Sequence, residues 1–356
     1  MSCMKCLLYS KSGLAGNGKT IPFSSPVPAY IINSIMGSFG VNGGLGWGMD
    51  GMYLVDGKVK FGPIEPEYKE GLVFLNKLYN DGLIAQDYLA HNVTIYGSNI
   101  PENIGLTFGW TGSGVRTPLM AAGFSSDEAT NMFRPISGMK GKDGKYHWFM
   151  SQVGMVTQPH GEFITVSNKY PVETMKWLDY KNSLEGAWTI SVGPKVVSWD
   201  LDASGAPYVT DYIRNNPDGL DRDEAFLRNG GMIWLYTVTT GVSPVVPTSR
   251  WPYRYEDIDL NRDIYGPFKE SLYSQHWRNW LDFEASRQLP PNLLFTSEER
   301  EEITLILQDL KTSVEENVHR FVMGLEPMNK WDEVVNTMKG MKVDRLIEIY
   351  QNALNK

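Results

Sequence analysis

The sequence has little cysteine, since only Cys3 and Cys6 occur among 356 residues. Their C-x-x-C spacing is that of a redox motif or of one half of a zinc site. A redox motif should open a helix after a strand, and a structural zinc ion needs a second pair of ligands that the sequence does not supply. Neither a redox site nor a zinc site is therefore expected.

Long apolar runs are also missing. No stretch of about 18 apolar residues is present, so no membrane-spanning helix is predicted. Residues 1–10 lack the apolar region and the small-residue cleavage site of a signal peptide.

The chain carries no excess of basic residues, because its formal net charge is −8. Phosphate backbones are bound by Lys and Arg clustered on one face. An acidic chain is therefore predicted to have no nucleic-acid partner, and an acidic membrane surface is an equally poor one.

Catalytic motifs are scarce. The five histidines form no H-E-x-x-H motif and no pair at metal-ligand spacing, and neither a nucleophile elbow nor a Walker loop occurs. No catalytic residue, metal ion or cofactor is therefore predicted. Asp and Glu are plentiful, so a carboxylate pair of the glycosidase kind stays open, because the fold sets that geometry.

Aromatic residues are abundant, with 11 Trp and 18 Tyr. Aromatic rings fill ligand clefts and hydrophobic cores alike. Several of them lie near predicted loops among Asn, Asp, Glu, Arg and Gln. Sugar rings present an apolar C–H face and a polar rim, so a sugar site needs a flat aromatic surface with hydrogen-bonding groups around it.

Local patterns predict several elements in the first half of the chain. Residues 1–46 are interpreted as loops with one short helix at Tyr30 to Met36. An Asp-Gly turn between apolar runs predicts a hairpin at Tyr53 to Phe61. Pro66 begins a predicted helix that ends at Gly82, and a short strand begins at Ile104.

The second half is predicted to be mainly helical. Pro171 opens a predicted helix to Tyr180 in which Trp177 is expected to be a core residue. Thr296 or Ser297 caps a long helix with an apolar stripe from Ile303 to Phe321. Two further helices are expected around Trp331, itself a core residue, and at Val343 to Leu354.

Several segments in this order resemble the family 1 extracellular solute-binding proteins, lipoproteins that bind oligosaccharides for ABC importers. The segments that carry the resemblance are 47–60, 66–84, 108–113, 175–180, 215–220, 331–339 and 347–353. The resemblance implies a two-lobe α/β fold of the periplasmic-binding-protein type II, maltose-binding-protein-like, that lacks the first part of the N-terminal lobe. It assigns residues 1–140 to the C-terminal lobe, 141–200 to a return segment of the N-terminal lobe, and 201–356 to the completion of the C-terminal lobe.

The family resemblance also suggests which residues contact the ligand. Trp110 is similar to the aromatic residue that ends a strand of the C-terminal lobe and stacks on sugar. Thr111, Ser113 and Arg116 follow it as hydrogen-bond donors. Further candidates lie near predicted loops, where core packing is the alternative: Trp47, Trp188, Trp234 and Tyr236.

Related sequences often carry a calcium-binding loop where this chain has residues 13–22, but most oxygen ligands are missing here and no calcium is expected. The resemblance implies an oligosaccharide ligand, ABC permease subunits as partners and an extracytoplasmic location, with membrane attachment only through a lipid anchor that the sequence does not contain. Two alternatives stay open: a polysaccharide-active hydrolase, and a truncated fragment of a solute-binding protein that binds nothing.

Overall fold

The structure of the protein is a computed structural model. It describes residues 20–46, 50–92, 104–108, 117–124, 128, 136, 138–149, 164–181, 183, 185–186, 189, 193–203, 205, 207–220, 225, 228–229, 284–290 and 293–356.

The chain divides into two compact units. Unit 1 comprises Met1–Val153 and Asn279–Lys356, and unit 2 comprises Gly154–Arg278. Unit 2 is therefore inserted in the sequence of unit 1. The predicted lobe boundaries at residues 140 and 200 stay predictions.

Helices and strands are mixed along the chain. The elements before the insertion are β1 (Ile21–Ser24), α1 (Pro28–Met36), β2 (Met52–Val55), β3 (Lys58–Phe61), α2 (Pro66–Asn80), β4 (Ile104–Thr107) and α3 (Thr117–Ala121). Those of unit 2 are α4 (Pro171–Lys181), β5 (Trp199–Leu201), β6 (Pro207–Val209) and α5 (Asp211–Arg214). Unit 1 then ends with α6 (Ser297–Val322), α7 (Trp331–Gly340) and α8 (Val343–Leu354). Single 3-10 turns lie at Gly37–Phe39, Gly62–Ile64, Tyr88–Ala90 and Met328–Lys330.

Strand β1 corrects the interpretation of residues 1–46 as loops with one helix. It pairs in parallel with β4, with Phe23 opposite Leu106 and Ser24 opposite Thr107. Phe23 is buried in the core of unit 1. Four residues that include a proline carry too little alternation to predict a strand, and only the partner strand, about eighty residues later in the sequence, stabilises it.

The predicted hairpin is confirmed. Strands β2 and β3 pair in antiparallel register, with Val55 opposite Lys58. The two turn residues both have positive φ, 49° at Asp56 and 77° at Gly57. This is the backbone that an Asp-Gly pair favours in a two-residue hairpin turn.

Helix α2 begins at Pro66 and is followed by Gly82 in a positive-φ conformation, as predicted. Its apolar side chains share one buried face: Tyr68, Leu72, Leu75 and Leu78. That face packs against α6, and the Asn76 side chain donates hydrogen bonds to two carbonyl oxygens at the end of α6. The contact between α2 and α6 thus joins the two separate parts of unit 1.

The three C-terminal helices are confirmed. Thr296 caps α6: its hydroxyl accepts from the Glu299 N–H, and the Glu299 carboxylate accepts from the Thr296 N–H. Trp331, at the start of α7, is a core residue as predicted, since it is 4% exposed and stacks on Tyr68 with 5.9 Å between ring centroids.

Unit 2 has a core of its own around Trp199, which is 1% exposed and donates from Nε1 to the Gly193 carbonyl oxygen. Helix α4 forms as predicted, but the prediction that Trp177 is a core residue is wrong, since its side chain is 59% exposed. Within residues 171–180 only Thr174 and Leu178 are half-buried, so α4 buries a much narrower face than its sequence predicts.

Among the described residues, no helix has both the length and the apolar character that crossing a bilayer requires.

Candidate functional site

The sequence predicts eight ligand contacts. All eight lie outside the described residues: Trp47, Trp110, Thr111, Ser113, Arg116, Trp188, Trp234 and Tyr236. They stay predictions, and the candidate site is built here from the described residues that adjoin them in sequence.

The carboxyl ends of β1 and β4 lie side by side because the two strands are parallel. Ser25 follows β1 and Phe108 follows β4, and the buried Ser25 hydroxyl donates to the Phe108 carbonyl oxygen over 2.6 Å. Ligands of α/β proteins bind outside the carboxyl ends of parallel strands. The hydrogen bond therefore fixes the backbone at this edge two residues before Trp110.

Aromatic side chains gather at the same edge. The Tyr30 ring meets the Phe108 ring edge to face with 6.1 Å between centroids, and Phe108 lies 6.1 Å from Trp148. Trp148 also contacts Tyr146, with 6.3 Å between the two ring centroids. Tyr146 and Trp148 are buried, whereas Tyr30 and Phe108 are half-buried. We call these four residues the edge cluster, in which successive aromatic rings contact one another at the carboxyl ends of β1 and β4.

The edge cluster adjoins two paired segments of chain. Glu284 donates its N–H to the Tyr146 carbonyl oxygen and accepts the Trp148 N–H at its own carbonyl oxygen. The Gln288 side chain donates to the Trp148 carbonyl oxygen. Both segments lie close in sequence to the points where the chain leaves and re-enters unit 1. The two passages of the chain are therefore joined to each other beside the edge cluster.

Glu284 is the carboxylate at this pairing. Lys145 donates to it over 2.7 Å, and that hydrogen bond lowers the pKa of Glu284 to about 2. A glycosidase needs one carboxylic acid that stays protonated near neutral pH. Glu284 is ionised there and cannot act as that acid.

Asp50 is a carboxyl group with the opposite shift, since burial raises its pKa. Its two oxygens are already occupied: one accepts the Met52 N–H and the other the Tyr350 hydroxyl, each over 3.0 Å. These bonds tie the start of β2 to α8, so Asp50 has a structural role.

At the end of β1, a serine contacts a histidine, and the same histidine contacts an aspartate. Ser24 Oγ lies 2.7 Å from Nδ1 of His91, and Nε2 of His91 lies 3.1 Å from an Asp87 oxygen. The residue types are those of a serine hydrolase triad, but the two ring nitrogens are exchanged, because in a triad the serine contacts Nε2 and the aspartate contacts Nδ1. Ser24 is 0% exposed, however, so no substrate reaches its hydroxyl. The contact holds the residues after the Tyr88–Ala90 turn against β1.

No group of three or more metal-ligating side chains that could hold an ion is found in the described part of the chain. Of the loop at residues 13–22, only residues 20–22 are described, so the expectation of no calcium there lies outside them.

A surface cavity of about 310 Å³ lies elsewhere, between α2 and the end of α6. It is lined by Asn76, Asn80, Phe321, Met323, Gly324, Glu326, Pro327 and Met328. Phe321 is its one aromatic residue and is fully buried, so the cavity offers no ring surface to a sugar.

Sequence reasoning missed Ser25, Tyr30 and Trp148. The run Tyr146-His-Trp-Phe149 is an aromatic signal that could have drawn attention to Trp148. Ser25 and Tyr30 carry no such signal, because their place depends on the pairing of β1 with β4.

No protein-family model and no curated protein matches the chain. Solved structures do match it. One is the alginate-binding protein AlgQ2 without calcium ion, with 18% identity and a TM-score of 0.58 over 99% of this chain and 67% of that one. A second is a human milk oligosaccharide (HMO) binding, ABC-transporter-associated solute-binding protein from Bifidobacterium longum infantis, with 15% identity and a TM-score of 0.66 over 99% of this chain and 68% of that one.

A third is the ABC-transporter substrate-binding protein FusA of S. pneumoniae in complex with kestose, with 17% identity and a TM-score of 0.60 over 99% of this chain and 67% of that one. At such identities the likeness concerns the fold. The chain has the α/β fold of the two-lobe solute-binding proteins, as the family resemblance implied, over about two thirds of their length.

Proposed function

We propose that the chain is the substrate-binding component of an ABC importer and binds an oligosaccharide without catalysing a reaction. The observation that supports this most is the edge cluster: half-buried rings of Tyr30 and Phe108 stand at the carboxyl ends of parallel strands. The fold is that of proteins whose described ligands are kestose, alginate and HMO.

Trp110 extends this cluster in the proposal. It follows Phe108 by two residues, and the Ser25 hydrogen bond holds the backbone at Phe108. Stacking of an aromatic ring on the C–H face of a sugar removes apolar surface from water, and hydroxyl groups at the rim need donors and acceptors. Thr111, Ser113 and Arg116 supply those donors in the proposal.

A binding role is favoured over hydrolysis by the state of the described polar groups. Ser24 is buried, so its hydroxyl is not open to a substrate, and Glu284 is ionised by its bond to Lys145, so it does not provide the protonated acid of a glycosidase. A permease in the membrane is the implied partner, and the implied location is outside the cytoplasmic membrane. We propose no cofactor.

The test is a thermal-shift screen of the purified chain against kestose, human milk oligosaccharides and alginate oligosaccharides. A ligand that binds only the native state raises the melting temperature. We expect a rise with one of these glycans, its loss in Trp110→Ala and in Phe108→Ala, and no release of reducing sugar.

The matched control is Tyr212→Ala, which removes an aromatic ring that is 43% exposed in unit 2 and should leave the rise unchanged. A rise that survives both Trp110→Ala and Phe108→Ala would contradict the site. Release of reducing sugar would favour the hydrolase alternative, and no rise with any glycan would favour the fragment that binds nothing.

A further inference from the structure

The buried ring of Tyr146 packs directly against two glycines. A Cβ atom at Gly37 would lie 2.9 Å from a carbon of the ring, and a Cβ atom at Gly138 would overlap the ring. Carbon atoms in contact lie about 3.5–4.0 Å apart. The ring therefore occupies space that a side chain at either glycine would take.

Gly37 also holds the main chain next to this ring. Its carbonyl oxygen accepts the His147 N–H over 3.1 Å, and a Cβ atom at Gly37 would overlap the His147 carbonyl oxygen. Gly37 begins the 3-10 turn that directly follows α1. This turn thus fixes both the Tyr146 ring and the backbone beside it.

Tyr146 is joined to a half-buried ring of the edge cluster through Trp148. The ring centroids of Tyr146 and Trp148 lie 6.3 Å apart, and those of Trp148 and Phe108 lie 6.1 Å apart. Tyr146 is 5% exposed and Trp148 7%, whereas Phe108 is half-buried. Aromatic pairs prefer particular relative orientations, so the place of one ring affects that of the next.

The main chain of Trp148 is held on both sides. Its N–H donates to the Glu284 carbonyl oxygen, and its own carbonyl oxygen accepts from the Gln288 side chain. The backbone cannot follow a displaced Tyr146 ring without loss of these hydrogen bonds. A displacement of that ring is therefore passed to the Trp148 side chain.

We propose that Tyr146 is a positioning residue for glycan binding, and that Gly37 and Gly138 leave the room that its ring needs. Tyr146 does not touch the glycan. It sets the place of Trp148, which packs on Phe108 two residues before Trp110. This inference rests on the proposed function and adds a determinant of affinity that lies in the core.

The test observes Trp148 directly in protein labelled with fluorotryptophan. The fluorine resonance of Trp148 is identified by its absence in Trp148→Phe. Gly138→Ala should move this resonance and weaken binding of the glycan found in the screen by about threefold to tenfold in calorimetric titration. Tyr146→Leu removes the ring and should have the same two effects, whereas Tyr146→Phe keeps the ring and should behave as the wild type does.

The matched control is Gly340→Ala in α7. No atom lies within 4 Å of a Cβ at Gly340, and neither Gly138 nor Gly340 has a positive φ, so the two substitutions differ in the space around them. Gly340→Ala should leave the resonance and the affinity unchanged. Each variant must melt cooperatively, and Tyr146→Leu decides the test if Gly138→Ala does not.

Two outcomes would separate this inference from the proposed function. If the wild type binds a glycan and Tyr146→Leu binds it equally well with an unmoved Trp148 resonance, Tyr146 only fills the core and the inference alone is overturned. If the wild type binds no glycan, the proposed function is overturned and the role of Tyr146 in binding falls with it.

Discussion

The Tyr88 hydroxyl lies 2.8 Å from Nδ1 of His319, across the contact between the turn after α2 and helix α6. Burial lowers the pKa of His319 to about 4, so the imidazole is neutral at pH 7 and Nδ1 can accept the hydroxyl proton. The folded chain therefore holds His319 uncharged at neutral pH because its ring is buried.

The lowered pKa of the buried His319 predicts a loss of stability in mild acid. The unfolded chain binds a proton at His319 near pH 6.5, but the folded chain does so only near pH 4. Stability is therefore fully present above pH 6.5 and falls as the pH is lowered from 6.5 to 4. Urea denaturation across this range checks it, with His319→Gln as the comparison. The variant should show a flatter pH dependence, and an equally steep one would contradict the assignment.

The buried face of α2 predicts a contrast between two neighbouring positions. Leu72→Ala should destabilise unit 1 by about 2–5 kcal/mol, since it leaves a cavity in the core. Val73→Ala alters a side chain that is 49% exposed and should change the free energy of unfolding by less than about 0.5 kcal/mol. Chemical denaturation followed by circular dichroism compares them, and equal effects would place Leu72 outside the core.

Helices α2, α6, α7 and α8 of unit 1 could be predicted from sequence because each carries its own signals, whereas the short α3 was not predicted. Pro66, the stripe of α2 and Gly82 act locally, and so do Thr296 and Glu299 at the start of α6. Strand β1 could not, because its stability comes from β4 and from burial of Phe23. The same dependence on distant pairing hid Ser25 and Tyr30 from the prediction of the site.

Trp177 shows the opposite failure. Its position in the helix predicts a buried side chain, but burial also requires a packing neighbour, and the sequence of the helix alone does not identify one. The exposed fraction of the Trp177 side chain is therefore set by residues outside α4 and not by the sequence of the helix.

The capping box of α6 predicts a measurable loss on substitution. Thr296→Ala removes the hydroxyl that accepts the Glu299 N–H and should cost about 1 kcal/mol. Thr304→Ala is the control, because this exposed threonine lies inside α6 and alanine is the better helix former there. In thermal melts, the melting temperature should fall for Thr296→Ala and should rise or stay unchanged for Thr304→Ala. Equal losses would contradict a role for the cap.

The hydrogen bond from Ser25 predicts a coupled effect on stability and binding. Ser25→Ala leaves the Phe108 carbonyl oxygen without this donor and should cost about 1–3 kcal/mol. Ser38 provides the control: it is also buried, its hydroxyl has no hydrogen-bond partner among the described residues, and Ser38→Ala should be neutral or slightly stabilising. Chemical denaturation measures the loss of stability. We also expect Ser25→Ala to bind the glycan found in the screen more weakly than the wild type does, and calorimetric titration measures this.

The exposed side chains of α4 predict that polar substitutions are tolerated at their positions. Val172→Lys with Met175→Lys should change stability by less than about 0.5 kcal/mol and should lower the binding of the apolar dye bis-ANS. Leu75→Lys, at a fully buried position of α2, should abolish the cooperative melt instead. A large loss of stability in the double variant would contradict the exposure of Val172 and Met175.

The insertion of unit 2 within unit 1 governs the order in which the nascent chain can fold. When residue 278 has left the ribosome, unit 2 is complete, but unit 1 still lacks α6, α7 and α8. The buried face of α2 must wait for those helices, and strand β3 waits for Gln351, whose side chain accepts the Val59 N–H across 292 positions of sequence. Such high contact order slows folding and leaves apolar surface open to chaperones until the last residues are made.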